Sequence, residues 1–516
     1  MKDTFYDLYC EEVRKNELLM KENKSLKLQV RSLTRRIKYL EEHQDEIIER
    51  KVNQQIEKVQ KAFEDKVIGL EKKVSQLKSA LNNDSTNSGI PTSKTPINKE
   101  KRIPNSREKS GKSKGGQQNH TKAKLERFND EEITEFIDHQ VKTCPSCGTT
   151  MEINQLTAIK DETDFEIVVK KIRHRFYESV CPQCGRKEKV AIPDRLKEEN
   201  QYGYGVQELI LTLVNEGFVS MKRTREIISG LSQGEITPSE GYIAKLQKRM
   251  SMDLQEYMAG LKREILRLKV LHWDDTVIMI DKNRSCLRFY GNEELAYYKS
   301  HMKKNKDGLD EDGILNCLGN DTIVVHDHNK VNYNEEYEFQ NAECCVHLLR
   351  DLKKVVDNLD HEWPKHMIDL LLKENHNRYV GNYVDAEYVS IVYDQYVAEG
   401  YVENLEAEGK YYGDTERTLL KRLEEYKINY LMWTLNAEIP FSNNVSERSL
   451  RGSKTKMKVS GQFANIKSAE YFADIKSYLE TGHRHGFSTS ALIGRALRGT
   501  AISIEEMKKA NQYSDD

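Results

Sequence analysis

No run of about 18 apolar residues, the length needed to cross a bilayer, occurs in the 516-residue chain. Its start, Met1-Lys2-Asp3-Thr4-Phe5-Tyr6-Asp7, lacks the apolar core of a signal peptide. Both absences predict a soluble, cytoplasmic protein with no membrane partner. A basic excess is missing as well: 81 Lys and Arg stand against 83 Asp and Glu, a net charge of −2. Overall charge therefore cannot draw in a polyanion, and a nucleic-acid partner would have to be met by local basic patches. The nine cysteines do not read as a disulfide framework. Four of them form two Cys-x-x-Cys pairs, which fits thiols kept for a metal in a reducing compartment.

At this length about three domains are expected, and the pattern changes character several times. Over 1–82, Leu19, Leu26, Leu33, Leu40 and Ile47 recur every seven residues, with Val30 and Ile37 at the alternate seam position. After a phase break near 48–55 the repeat resumes at Ile56, Phe63, Leu70 and Leu77. A seam this long with charged flanks predicts a coiled coil and hence a homo-oligomer. Residues 83–125 are rich in Asn, Ser, Thr, Pro, Gly and Lys, Lys112 and Lys114 among them, and cannot bury enough apolar surface to fold alone. A basic tether lying on DNA phosphates and a solvated linker fit this composition equally.

Within 126–198, Cys144-Pro145-Ser146-Cys147-Gly148 and Cys181-Pro182-Gln183-Cys184-Gly185 are two tight knuckles. Together Cys144, Cys147, Cys181 and Cys184 supply the four sulfurs of a structural Zn²⁺ site, and alternation over Phe165–Ile172 and Arg173–Val180 suggests the strands of a zinc ribbon. Residues 199–258 turn helical, with stripes at Val206, Leu209, Ile210, Leu213 and Val214 and at Ile227, Ile228 and Leu231. Thr237-Pro238-Ser239-Glu240 has the form of a third helix start capped by Thr237. A helix-turn-helix-like DNA-binding unit and a plain helical connector both fit.

The stretch from 262 to 490 holds the candidate chemistry. Val270 to Ile280 reads as a buried strand interrupted by carboxylates at Asp274 and Asp275, and Thr322 to Asp327 as another such run, with Asp327 at its end. Ser285–Tyr290 and Ala296–Lys299 suggest further strands; a helix is expected to start at Asn341 and run past Leu352. Residues 360–435 are amphipathic helix, an insertion before Glu447 in Asn443-Asn444-Val445-Ser446-Glu447-Arg448-Ser449-Leu450-Arg451. Acids on neighbouring strands, with a Glu from a later helix, would repel one another unless Mg²⁺ or Mn²⁺ neutralised them. Asp275 points to the opposite face of its strand from Asp274. Spacing alone gives Glu447 a different job, as the third residue of a capping box begun by Asn444. Its company argues for the site: Arg448, Arg451, Lys454, Lys456 and Lys458 follow at once, surroundings suited to a DNA backbone. Cys344, Cys345 and His347 fit either a metal cluster or a helix-start core with a partnered His.

These motifs in this order, with Asn87-Ser88-Gly89-Ile90-Pro91-Thr92-Ser93, Gly115-Gly116-Gln117-Gln118-Asn119-His120, Trp273-Asp274-Asp275-Thr276 and Lys458-Val459-Ser460-Gly461, resemble the TnpC-type DDE transposases of insertion-sequence family sixty-six. The resemblance spans nearly the whole chain. It implies a multidomain protein: coiled coil, zinc ribbon, small helical unit, and an α/β ribonuclease-H-like catalytic domain with a helical insertion, followed by a tail over 491–516. It also implies a DDE triad at Asp274, Asp327 and Glu447 and two-metal cleavage and strand transfer on DNA at transposon ends. Accessory proteins of the same element and a bacterial, nucleoid-associated location belong to the same implication. Two departures stand out: Asp275 replaces the family's usual Glu, and Gln118-Asn119 its usual Pro-Gly. Two other readings fit the same motifs, a non-catalytic zinc-stabilised DNA-binding protein and a ribonuclease-H-like nuclease.

Overall fold

The structure, a computed structural model, describes residues 2–82, 127–152, 156–407 and 411–512. The basic stretch read over 83–125, with Lys112 and Lys114, lies outside the described residues. The heptad region is helical throughout, as α1 (Lys2–Glu42) and α2 (Gln44–Asn82). The helix is interrupted at His43, whose ring stacks on Tyr39, and α2 is continuous through 48–55, the stretch where the heptad phase shifts. Leu19, Leu26, Leu33 and Leu40 are all exposed in the single chain. The end of α2 meets the rest of the protein: Asn82 Nδ2 donates to Asp357 O over 3.0 Å, and Ser79 is buried.

Both cysteine knuckles form. Gly148 N–H donates to Cys144 O and Gly185 N–H to Cys181 O, each over 2.9 Å. The two glycines sit at φ +73° and +72°, which an L side chain would resist. Strands β1 (Glu178–Val180) and β2 (Lys187–Lys189) pair antiparallel around the second knuckle. The strand expected over Phe165–Ile172 does not form; that segment is exposed and has no neighbouring strand to take its backbone hydrogen bonds.

Four helices follow: α3 (Tyr204–Asn215), α4 (Met221–Leu231), α5 (Glu240–Asp253) and α6 (Gln255–Ile265). Ser239, not Thr237, caps α5, accepting from Tyr242 N–H over 3.1 Å. Then come β3 (Val270–Ile280), β4 (Asn283–Gly291), β5 (Ala296–His301), α7 (Lys306–Asp312), β6 (Ile323–His326) and β7 (Gln340–Glu343). The helix expected from Asn341 begins only after β7, as α8 (Cys345–Leu359), because Asn341 and Ala342 pair with Val324 and Val325. Helices α9 (Trp363–Tyr379), α10 (Ala386–Glu406), α11 (Tyr411–Glu425) and α12 (Lys427–Leu435) make up the insertion, and α13 (Asn444–Ser460) and α14 (Ile466–Arg484) follow. The stretch read as a tail carries α15 (Thr489–Leu497) and α16 (Ile504–Gln512).

The five strands β3 to β7 form one mixed sheet in the order β5-β4-β3-β6-β7. The β3-β4-β5 meander is antiparallel; β6 runs parallel to β3, and β7 parallel to β6. Its two faces are covered differently. Leu271, Trp273 and Tyr290 face a core built from α3 to α6 and α14 to α16, in which Ile210, Ile243, Tyr478 and Leu492 are buried. The small helical unit thus shares its core with the sheet. On the opposite face Ile278, Ile280, Leu287 and Phe289 pack under Val445 and Leu450 of α13 and Phe472 of α14. Farther along the sheet Val325 and Ala342 join α8 and the insertion, around Trp363, Met367 and Leu420. One charged pair lies inside this scaffold. Arg288 on β4 and Asp312 at the end of α7 meet at 2.9 Å with both side chains fully buried.

Candidate active site

Period-two alternation along β3 assigns Asp274 to the face covered by α13, because its register partner on β4 is Phe289, a residue of that core. On β6 the register Val270↔Ile323, Leu271↔Val324, His272↔Val325 continues, one residue past the strand, to Asp327 beside Asp274. The mismatch of burying two carboxylates side by side appears in their chemistry. Burial and the neighbouring Asp327 charge push the Asp274 carboxyl up to about 8. Asp327 Oδ1 is buried and accepts no aligned hydrogen bond. Asp275, on the other face, pairs instead with Lys304 at 2.7 Å.

Glu447, in the first turn of α13, is linked to Asp327 through the His347 ring, which lies 3.6 Å from Glu447 at one nitrogen and 2.9 Å from Asp327 at the other. The cap of that helix is Asn443, not Asn444, and no capping box forms, so Glu447 is free of the structural role that its spacing allowed. The Asn443 side chain is fully buried and turned to the sheet: Nδ2 donates to Trp273 O over 2.9 Å, while Oδ1 lies 2.9 Å from His272 Nδ1 and accepts from Ser446 Oγ over 2.8 Å. Asn443 N–H donates to Cys344 Sγ over 3.2 Å. The side chain of Asn443 thus pins the start of α13 to β3, and its backbone N–H ties it to the start of α8, which sets where Glu447 points.

The first turns of α8 supply two further side chains. His347 and Arg350, three positions apart, lie on one face of the helix. His347 Nδ1 is 2.9 Å from Asp327 Oδ1 and 3.3 Å from Cys344 Sγ, and its Nε2 is 3.6 Å from Glu447 Oε1. Arg350 Nη1 lies 3.0 Å from His347 Nε2 and 3.7 Å from Glu447 Oε1. Burial opposes a charged ring, yet the contacts with Asp327 and Cys344 outweigh it and lift His347 to about 11. Asp327, Cys344 and His347 are the one group of three or more potential ligands drawn together among the described residues. Cys345, by contrast, is a core residue, fully buried with burial holding its thiol well above the usual range. His347 and Arg350 escaped the sequence reading as a pair; the signal was their spacing on a helix that follows a strand directly.

The basic residues after Glu447 divide. Arg451, Lys454 and Lys458 are exposed and recur at four, three and four residues from Glu447, which places them in one stripe on its face of α13. Arg448 is exposed but paired with Glu293 at 2.7 and 2.8 Å. Lys456 falls half a turn away and is buried: its Nζ donates to Val214 O over 3.3 Å and lies 5.2 Å from the Phe472 ring centroid, and burial lowers its ammonium to about 8. It is therefore withdrawn from the DNA-facing set.

The knuckle thiols stay apart from this site. Hydrogen bonding from Thr149 lowers Cys147, and backbone N–H groups of Cys184 and Gln183 lower Cys181, directions that favour the metal-binding thiolate. No three of Cys144, Cys147, Cys181 and Cys184 are drawn into a single ligand group, so each knuckle is formed but the four sulfurs are not gathered. None of the described helices is long and apolar enough to cross a membrane.

The family model described as "Transposase IS66 family" matches residues 200–471, more than half of the chain and the whole span from α3 to the first part of α14. No curated protein matches.

Proposed function

Because the chain belongs to the transposase IS66 family, we propose that it binds the terminal inverted repeats of its insertion sequence and catalyses metal-dependent cleavage and strand transfer there. The observation that carries this reading is that Asp274 and Asp327 lie side by side at neighbouring strands, with Glu447 of the covering helix linked to Asp327 through the His347 ring. The mixed five-stranded sheet, acids on its central strands and a helical insertion before the third acid support the ribonuclease-H-like description of the domain.

Mg²⁺ or Mn²⁺ fits the donor set: three carboxylates, one pushed toward its protonated form by burial and by its neighbour, and one with a buried oxygen lacking an aligned hydrogen bond. Asp274, Asp327 and Glu447 would hold the ions, which supply Lewis-acid activation of the attacking oxygen and stabilisation of the leaving one. The protein's own part is positional. Asn443 fixes the angle at which Glu447 enters, and Arg451, Lys454 and Lys458 form a stripe on which a DNA backbone is oriented past the acids. Structural Zn²⁺ on Cys144, Cys147, Cys181 and Cys184 belongs to the same proposal and requires the two knuckles to close on one ion. So does pairing of copies through the α1–α2 seam, so that two ends are processed together.

The test is incubation of the full chain with labelled DNA bearing the element's end, Mg²⁺ and target DNA, with accessory proteins of the element added in parallel. Nicking at the end followed by joined product supports the proposal. Cutting without joining would favour a nuclease, and binding with no cutting under either condition a binding protein.

Two further outcomes are expected. Asn443→Ala should reduce end cleavage by about 100-fold, the cost of misplacing a catalytic group by about 1 Å, and lower stability by about 1–3 kcal/mol through the unpaired groups it leaves. Wild-type turnover in that variant would remove Asn443 from the account. The raised Asp274 carboxyl also sets a pH dependence. Below about pH 8 a cation must displace its proton, so Mn²⁺ affinity should rise roughly tenfold per pH unit between about pH 6 and 8 and level off above. The same shift makes the metal-free protein lose stability as pH climbs from the ordinary carboxyl range toward 8. Calorimetric Mn²⁺ titrations at several pH values check this; a flat profile contradicts it.

A further inference from the structure

His347 stands between two of the three acids without being one of them, its Nδ1 toward Asp327 and its Nε2 toward Glu447. Together with Asp327 and Cys344 it could offer oxygen, sulfur and nitrogen to one ion, which would make it a ligand through a lone pair on Nδ1. Its neighbours argue otherwise. Arg350 Nη1 is 3.0 Å from Nε2, and a guanidinium only donates. A neutral ring in that contact carries its hydrogen on Nδ1, and the protonated ring that Asp327 and Cys344 favour carries one there as well, so Nδ1 bears hydrogen in either form. A ring nitrogen bearing hydrogen cannot ligate a metal, but it can donate to a carboxylate that does. Cys344 Sγ is likewise engaged, since it accepts from Asn443 N–H over 3.2 Å and ties the start of α13 to α8.

We propose that His347, braced by Arg350, is a positioning residue that orients the Asp327 carboxylate for the cation through its Nδ1–H. The proposal rests on the reading of the three acids as cation ligands. The ring then holds the acid at the end of β6, and Arg350, one helical turn along, joins it to the acid on α13. Nδ1 now meets Cys344 Sγ at 3.3 Å and lies 2.9 Å from Asp327 Oδ1 without alignment, and such contacts commonly tighten when the working complex forms. Hydrogen-bond partners of metal ligands typically contribute about 10–100-fold in metal affinity.

The experiment is Mn²⁺ binding to the zinc-loaded full chain, followed by electron paramagnetic resonance of the free ion, for wild type, Asp327→Ala, His347→Ala, His347→Asn and Arg350→Met, with melting curves for each. The expected result is binding weakened about 10-fold or more in His347→Ala and in Arg350→Met, and largely restored in His347→Asn, whose amide can donate from the place of Nδ1. Should His347→Ala melt early, Arg350→Met carries the test, because it leaves the ring in place and removes only the group that braces it against Glu447. If Asp327→Ala loses Mn²⁺ while His347→Ala and Arg350→Met bind like wild type, the positioning role is overturned and the three-acid site stands. If Asp327→Ala binds like wild type, the cation assignment falls, and this inference with it.

Discussion

Glu447→Gln and Asp274→Asn each lose about 10³-fold or more of end cleavage while still binding end DNA. Either change keeps the side chain's size and removes one negative oxygen from a site that must hold cations against a phosphate. Glu447 is the sharper case because an alternative job was open to it. In a capping box Gln serves nearly as well as Glu, so a structural Glu447 would tolerate the change. Here the cap is Asn443, whose side chain binds β3 and leaves the helix end to itself, and Glu447 faces His347 and Arg350. Asp274→Asn tests the other side of the site. The amide cannot take the negative charge that burial and Asp327 make costly, so the metal-free protein should be no less stable than wild type even as cleavage disappears. Gel shifts and a cleavage assay on the same preparations separate the two effects. Near-normal cleavage in either variant removes that residue from the triad.

The second large effect lies in the scaffold. Asp312→Ala should destabilise the sheet domain by about 3–5 kcal/mol, the usual result of stripping the partner from a buried charge. Arg288 is fully enclosed; its Nη1 donates to Asp312 Oδ2 and Gly308 O, and its Nη2 to Lys303 O. Tyr290 Oη donates to the same Asp312 oxygen over 2.8 Å. Removing Asp312 leaves a guanidinium and a phenol facing a void with only backbone oxygens to share. Replacing both charged members, as in Arg288→Met with Asp312→Leu, should lose less than Asp312→Ala alone, since no unpaired charge remains buried. Thermal unfolding of the three proteins measures this; an Asp312→Ala variant within about 1 kcal/mol of wild type would show that solvent reaches Arg288.

Strands β3 and β6 were legible because their apolar runs are long relative to the acids that interrupt them, and the insertion because its period of 3.6 persists over several helices. What escaped is set by tertiary partners. Asn341 to Glu343 has a helix-like sequence that is captured as an edge strand by β6. Phe165 to Ile172 alternates like a strand but finds no neighbour to pair with. Lys454-x-Lys456-x-Lys458 looks uniform in sequence, yet on a helix a step of two turns the side chain most of the way to the other face, and Lys456 ends up inside. The triad acids could be picked out, whereas Asn443 read only as a turn former and His347 as an undecided partner. Their roles depend on contacts across more than a hundred residues or between separate elements, which spacing does not record.

The claim at the centre is that Asp274, Asp327 and Glu447 converge on shared cations. Anomalous scattering from crystals of the full chain soaked in Mn²⁺ tests it most directly. The account predicts a Mn²⁺ peak in contact with carboxylate oxygens of both Asp274 and Asp327, with Glu447 on the same or an adjoining ion. A peak coordinated without Asp274 and Asp327, or Mn²⁺ confined to other acids with these three still facing one another, would contradict it.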